Sequence, residues 1–142
     1  MTVHELRAAP PALGWRGALR PLGLAALSVV PLVYVAQVDP NQAGHYPTCP
    51  FLWVTGWYCP GCGSLRAMHA LTHLDVGTAL ARNPLSVAFV GVLAVMWAAW
   101  LQRSVTGRAR RVAPAWLLWG LLGLVCVFWV VRNLPGMEWL AP

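Results

Sequence analysis

Charge is what this sequence has least of. Only 10% of its 142 residues are charged, against roughly 25% in soluble domains. Acids are scarcest, at four: Glu5, Asp39, Asp75 and Glu138. That scarcity argues against hydrolysis by paired carboxylates. The sequence has no serine–histidine–acid set and no phosphate-binding glycine loop. It has no lysine and no isoleucine, a bias that suits a GC-rich genome. The basic residues are ten arginines, giving a net charge of +6. They flank apolar stretches instead of forming a basic face, so orientation in a bilayer is the better reading and no nucleic-acid partner is expected.

Apolar residues make up 58% of the chain, and three stretches carry no charge at all: residues 21–38, 84–101 and 113–131. At about 1.5 Å rise per residue each would extend roughly 27–29 Å as a helix, close to the roughly 30 Å hydrocarbon core. The alternative, buried helices of a soluble domain, leaves too little polar surface to cover them. The first stretch is long for a signal peptide, and Val35 to Val38 offers no small-x-small cleavage pattern. The expected fold is an all-α membrane protein with three transmembrane helices. Pro31 introduces a kink in the first, and Asn83-Pro84 starts the second, with Asn as cap and Pro at the first helical position.

The arginines set a direction. Arg7, Arg16 and Arg20 precede the first span, and Arg103, Arg108, Arg110 and Arg111 follow the second. The 39–83 loop has only Arg66 and Arg82, against Asp39 and Asp75, and the 132–142 tail pairs Arg132 with Glu138. Positive charge is retained on the cytoplasmic side. Residues 1–20 and 102–112 are therefore expected inside, and 39–83 and 132–142 outside, in a bacterial cytoplasmic membrane. Aromatics agree: Trp97, Trp100, Trp116 and Trp119 sit toward the inner ends, and Tyr34, Trp53, Trp57, Tyr58 and Trp139 toward the outer boundary. Trp129 reads as a packing residue. Ala94 with Ala98 and Gly120 with Gly123 allow close helix approach, so a homo-oligomer or a membrane-protein partner is a reasonable companion besides lipid.

Three of the four cysteines, Cys49, Cys59 and Cys62, lie in the outer loop, and Cys126 lies in the third span, where a buried inert thiol is expected. Phe51 to Tyr58 is apolar but too short to span, and its backbone must be shielded or wet. After Gly63 the spacing predicts a short helix with Leu65, Met68 and Leu71 on one face, and Arg66, His69 and His73 on another. Asp75 reads as the cap of a second, over 76–82. Both would be amphipathic and lie at the membrane surface.

The chained motif of Cys49-Pro50, Thr55-Gly56, Cys59-Pro60-Gly61-Cys62-Gly63, Arg66, Asp75, Ala79 and Asn83-Pro84 resembles the bacterial membrane family called domain of unknown function 2752. The resemblance covers roughly residues 49 to 90. That family usually has Thr where this chain has Leu65. It brings no established activity, but it implies a small multi-pass bacterial protein built around a cysteine motif.

Three chemistries fit the loop. Cys-Pro-Gly-Cys-Gly has the form of a zinc or rubredoxin knuckle, whose tight turn aims two thiolates at one ion. Cys49, Cys59 and Cys62 supply three ligands, with His45 the natural fourth. His69 and His73 are alternatives. His69 lies about two turns from Cys62, roughly 10 Å along the axis. As a polar surface face, the histidines need no ion. Alternatively Cys59 and Cys62 form a redox pair at a helix start, with Arg66 one turn on and Cys49 as an exchanging third thiol. No thioredoxin-like βαβ pattern supports this. In the third reading the loop is a disulfide-stapled or rigid turn, and the protein is a non-catalytic accessory subunit.

Overall fold

The computed structural model describes residues 14–42, 44–108 and 114–141. Arg7, Arg110 and Arg111 lie outside the described residues. Among the described residues six α-helices follow one another: α1 (Trp15–Gln37), α2 (Pro50–Thr55), α3 (Ser64–Thr72), α4 (Val76–Arg82), α5 (Pro84–Thr106) and α6 (Ala115–Val131). A 3₁₀ turn, Glu138–Leu140, follows α6. There is no strand among the described residues.

Two helices, α1 and α5, are long and apolar enough to cross a membrane, whereas α6 is a shorter apolar helix of 17 residues. α1 begins six residues before the uncharged stretch, so Arg16 and Arg20 are helical. Likewise α5 runs on to Thr106, takes in Arg103, and ends where Gly107 adopts a left-handed φ of 68°. A helix needs backbone pairing, not apolarity, to continue. Charged side chains at its ends therefore do not stop it.

α1 and α5 pack against each other. The Trp97 indole N–H donates to the Pro21 carbonyl at 3.0 Å, joining the late part of α5 to the early part of α1. At the opposite end, α3 and α4 form a cap on both helices. α3 turns into α4 through Leu74, an exposed residue at φ 60°, with the Asp75 N–H bonded to the Ala70 carbonyl. The Asp75 carboxylate accepts from the Thr78 N–H at 2.9 Å, so the expected cap is present. The buried residues of α3 and α4 are Ala67, Ala70 and Ala79, with Leu71 and Val87 packed beside them. Leu65 is exposed instead. Small residues let the two short helices approach closely, and a Leu at those positions would hold them apart.

α6 stands apart. Its packing against α1 or α5 is slight at most, and none of its residues is buried. Cys126 is therefore exposed on the helix surface, not buried as its place in an apolar helix suggested. What holds α6 is its last turn, against the cysteine loop.

Candidate metal centre

α2 begins at Pro50 with Cys49 as the residue before it, and ends at Gly56, whose φ of 72° provides the left-handed stop. The chain then turns through Trp57 and Tyr58 into the knuckle. The Cys62 N–H donates to the Cys59 carbonyl at 3.1 Å, and the Cys59 N–H donates to the Cys62 sulfur at 3.3 Å. Gly63, at φ 85°, swings the chain straight into α3. A side chain there would be strained by its own Cβ, which is why glycine follows the second cysteine of the turn.

The three loop thiols meet. The Sγ atoms of Cys59 and Cys62 are 3.1 Å apart, and those of Cys49 and Cys59 are 3.6 Å apart. All three sulfurs lie within 4.8 Å of one another. Zn–S bonds of about 2.3 Å in a tetrahedron put sulfurs roughly 3.8 Å apart, so a small inward or outward adjustment seats an ion on them. Cys62 is buried, whereas Cys49 and Cys59 are half-buried. Burial, reinforced by the Cys59 thiol beside it, pushes the Cys62 thiol up to about 12. The Leu52 backbone N–H, at the start of α2, lowers that of Cys49.

Two polar side chains hold the knuckle from behind. Asn83, fully buried, caps α5 by accepting from the Ser86 N–H. Its amide donates to the Pro60 and Cys62 carbonyls at 2.9 and 3.0 Å. Arg132, only 2% exposed, reaches in from the end of α6. Its guanidinium donates to the carbonyls of Cys59 (2.9 Å), Pro60 (3.3 Å), Cys62 (3.2 Å) and Leu140 (3.1 Å). It also lies near the Phe128 and Tyr58 rings, at 5.0 and 5.8 Å from their centroids. Next to it, the Asn133 side chain accepts from the Tyr58 N–H and donates to the Tyr58 carbonyl. Phe51 and Trp57 meet Trp129 edge-on at 5.7 and 6.4 Å, so Trp129 is the packing residue its position suggested.

Arg132 is the member of this site that the sequence hides, since by charge alone it is a tail residue balanced by Glu138. A signal was present: a lone arginine closing an uncharged helix, in a chain with few acids, must find carbonyl acceptors. The turn Cys-Pro-Gly-Cys supplies them because its proline has no N–H and its tight geometry bunches carbonyls.

The other candidates go elsewhere. His45 is exposed and stands outside the three-cysteine group. His69 places Nδ1 at 2.8 Å from the Val35 carbonyl and Nε2 at 3.9 Å from Asp39, which fastens α3 to the end of α1. His73 places Nδ1 at 2.9 Å from the His69 carbonyl, and the two rings lie 4.5 Å apart. Arg66 is half-buried in the wall of an open cavity of about 580 Å³, which is also lined by Cys49, Cys59 and Cys62.

Fold and site together define an all-helical protein, with two helices of membrane-spanning length and apolarity, that carries three clustered cysteines. The family model described as "Protein of unknown function (DUF2752)" matches residues 49–97, the stretch that holds the cysteine motif and the start of α5. This is the family the motif resembles. No curated protein and no solved structure matches the chain.

Proposed function

We propose that this protein is a metal-binding membrane protein whose outer loop holds one zinc ion on Cys49, Cys59 and Cys62. The convergence of three thiols from two separate turns within 4.8 Å carries the reading. Two sulfurs of a knuckle are neighbours by construction. Cys49 is ten residues from Cys59, and the α2 excursion brings it back. The backing by Asn83 and Arg132 favours an ion too, because a buried cation beside the turn offsets the surplus negative charge of three thiolates on a divalent metal. Protein purified without chelators is expected to carry about one zinc per chain by metal analysis, and Cys59→Ser or Cys62→Ser to lose it. Metal-free protein with three free thiols overturns the reading.

A second reading draws on the 3.1 Å between Cys59 and Cys62. Sulfurs that close form a disulfide with little backbone movement. The pair would pass two electrons to an external disulfide, with Cys49 as the exchanging thiol. Differential alkylation of cells grown under reducing and oxidising conditions separates the two: a changing Cys59–Cys62 state favours redox exchange, and a constant disulfide favours a structural staple in an accessory subunit.

The same proposal includes three spans, with α6 as the third, in a bacterial cytoplasmic membrane. The arginine distribution supports an outer cysteine loop, an outer C-terminal tail and inner segments before α1 and between α5 and α6. A membrane-impermeant thiol reagent is expected to reach the loop in whole cells, and labelling only after lysis inverts this arrangement. Lipid, and a second copy or a membrane partner beside α6, cover its exposed apolar surface.

A further inference from the structure

We infer that the cavity over the three thiols binds a small ligand with an anionic oxygen, which takes the fourth position on the metal while Arg66 holds its charge. The inference rests on the metal reading above. Tetrahedral zinc takes four ligands, and where the protein provides three, the fourth goes to a solvent or substrate atom. Among the described residues no other cysteine, histidine or acid joins the group of three. The open side is also defined. Cys62 is the buried member, while Cys49 and Cys59 are half-buried, and all three border one cavity of about 580 Å³. That is within the roughly 300–1,000 Å³ of small-molecule sites. A structural zinc knuckle closed by the chain has no need of such a space beside its sulfurs.

Charge selects the ligand class. Three thiolates exceed a divalent ion by one negative unit, and the buried Arg132 offsets that unit through the knuckle carbonyls. Arg66 is then the cation that the cavity wall itself supplies. It lines the cavity, and among the described residues no acid pairs with it: Asp39 is bound by Asn41 and faces His69, and Asp75 caps α4. A guanidinium fork matches a carboxylate or a phosphate, and both present oxygen to zinc. A soluble acid and a lipid headgroup share this chemistry, and the test distinguishes them.

The full chain, in neutral-detergent micelles and loaded with cobalt(II) in place of zinc, reports its fourth ligand through visible ligand-field bands. Acetate or inorganic phosphate is expected to shift these bands saturably. Arg66→Gln is expected to raise the anion's half-saturation concentration about tenfold, the loss of roughly one charged hydrogen bond, with cobalt per chain unchanged. Arg66→Lys should restore part of the affinity. The same protein reconstituted into phosphatidylglycerol vesicles, but not phosphatidylcholine vesicles, shows the shift without added anion if the headgroup is the source. Bands that ignore soluble anions and both vesicle types, at full cobalt occupancy, overturn the inference and leave the metal reading intact. So does a shift produced by His45→Ala alone, which makes the fourth ligand internal. Failure to take up cobalt or zinc overturns both.

Discussion

The layer around the knuckle and the long helices follow opposite rules. In the layer, the buried groups are mostly small or polar: Ala67, Ala70, Ala79, Asn83, Cys62 and Arg132, with Leu140 the large apolar side chain among them. Carbonyls of its knuckle are served by side-chain donors from residues 21 to 75 positions away. In the apolar helices α5 and α6 the reverse holds. α5 and α6 bury no residue, and Val95, Leu118, Leu124 and Val127 are all more than half exposed. Those helices satisfy their own backbones and leave apolar side chains exposed, the pattern that a span in hydrocarbon requires. The layer has irregular backbone, which needs partners from elsewhere in the chain. Polar contacts between distant parts of the chain therefore concentrate in the layer, and α6 is anchored chiefly by its final turn.

If that contrast is right, damage should grade with place. Arg132→Met is expected to cost the most, about 3 kcal/mol or more, since it removes charged hydrogen bonds each worth about 1.5–3 kcal/mol and frees α6 from the knuckle. Thermal unfolding in micelles and protease sensitivity of the segment after α5 would report it, and a wild-type profile would break the comparison. Next comes Asn83→Ala, at about 2 kcal/mol, from a lost helix cap and a lost donor. Arg132 still serves the Pro60 and Cys62 carbonyls, which keeps this cost below the first.

Within the long helices the effects should be small. Trp97→Phe loses one neutral hydrogen bond to the Pro21 carbonyl, about 1 kcal/mol, again read from thermal unfolding. The smallest effect concerns Asp75. The Thr78 hydroxyl and N–H hold its carboxylate below the ordinary value. Its contribution to α4 is thus complete above the ordinary carboxylate range and fades as pH falls through the lower folded value. The protection of α4 amides, measured against their intrinsic exchange rates, should fall only at that acidic end. Asp75→Asn, which keeps a capping oxygen, should remove the pH dependence. Equal protection of α4 at neutral and acidic pH in the parent protein would show that packing on Ala79 outweighs the cap.

Much of the helical order was legible. Uncharged stretches marked α1, α5 and α6, Asp75 and Asn83-Pro84 marked two helix starts, and Gly63 marked the start of α3. The exposed Leu65 and the alanine face were not legible, because an amphipathic pattern favours large apolar residues while close helix contact favours small ones. His69 was ambiguous for a related reason. Its partner, the Val35 carbonyl, is a backbone group at the end of another helix, and such acceptors have no sequence signature.

The sequence by itself determined the local and the periodic: helices where charge is absent, caps where Asx precedes a turn, a cysteine turn that points two sulfurs one way. These follow from neighbours a few residues apart, whose geometry the backbone dictates. Tertiary structure alone decided that Cys49 joins Cys59 and Cys62, that His45 stands outside the group, and that Arg132 and not Arg66 backs the knuckle. Those are meetings across ten to seventy residues. The lack of acids leaves Arg132 to carbonyls, and which carbonyls it finds depends on how the last turn of α6 docks.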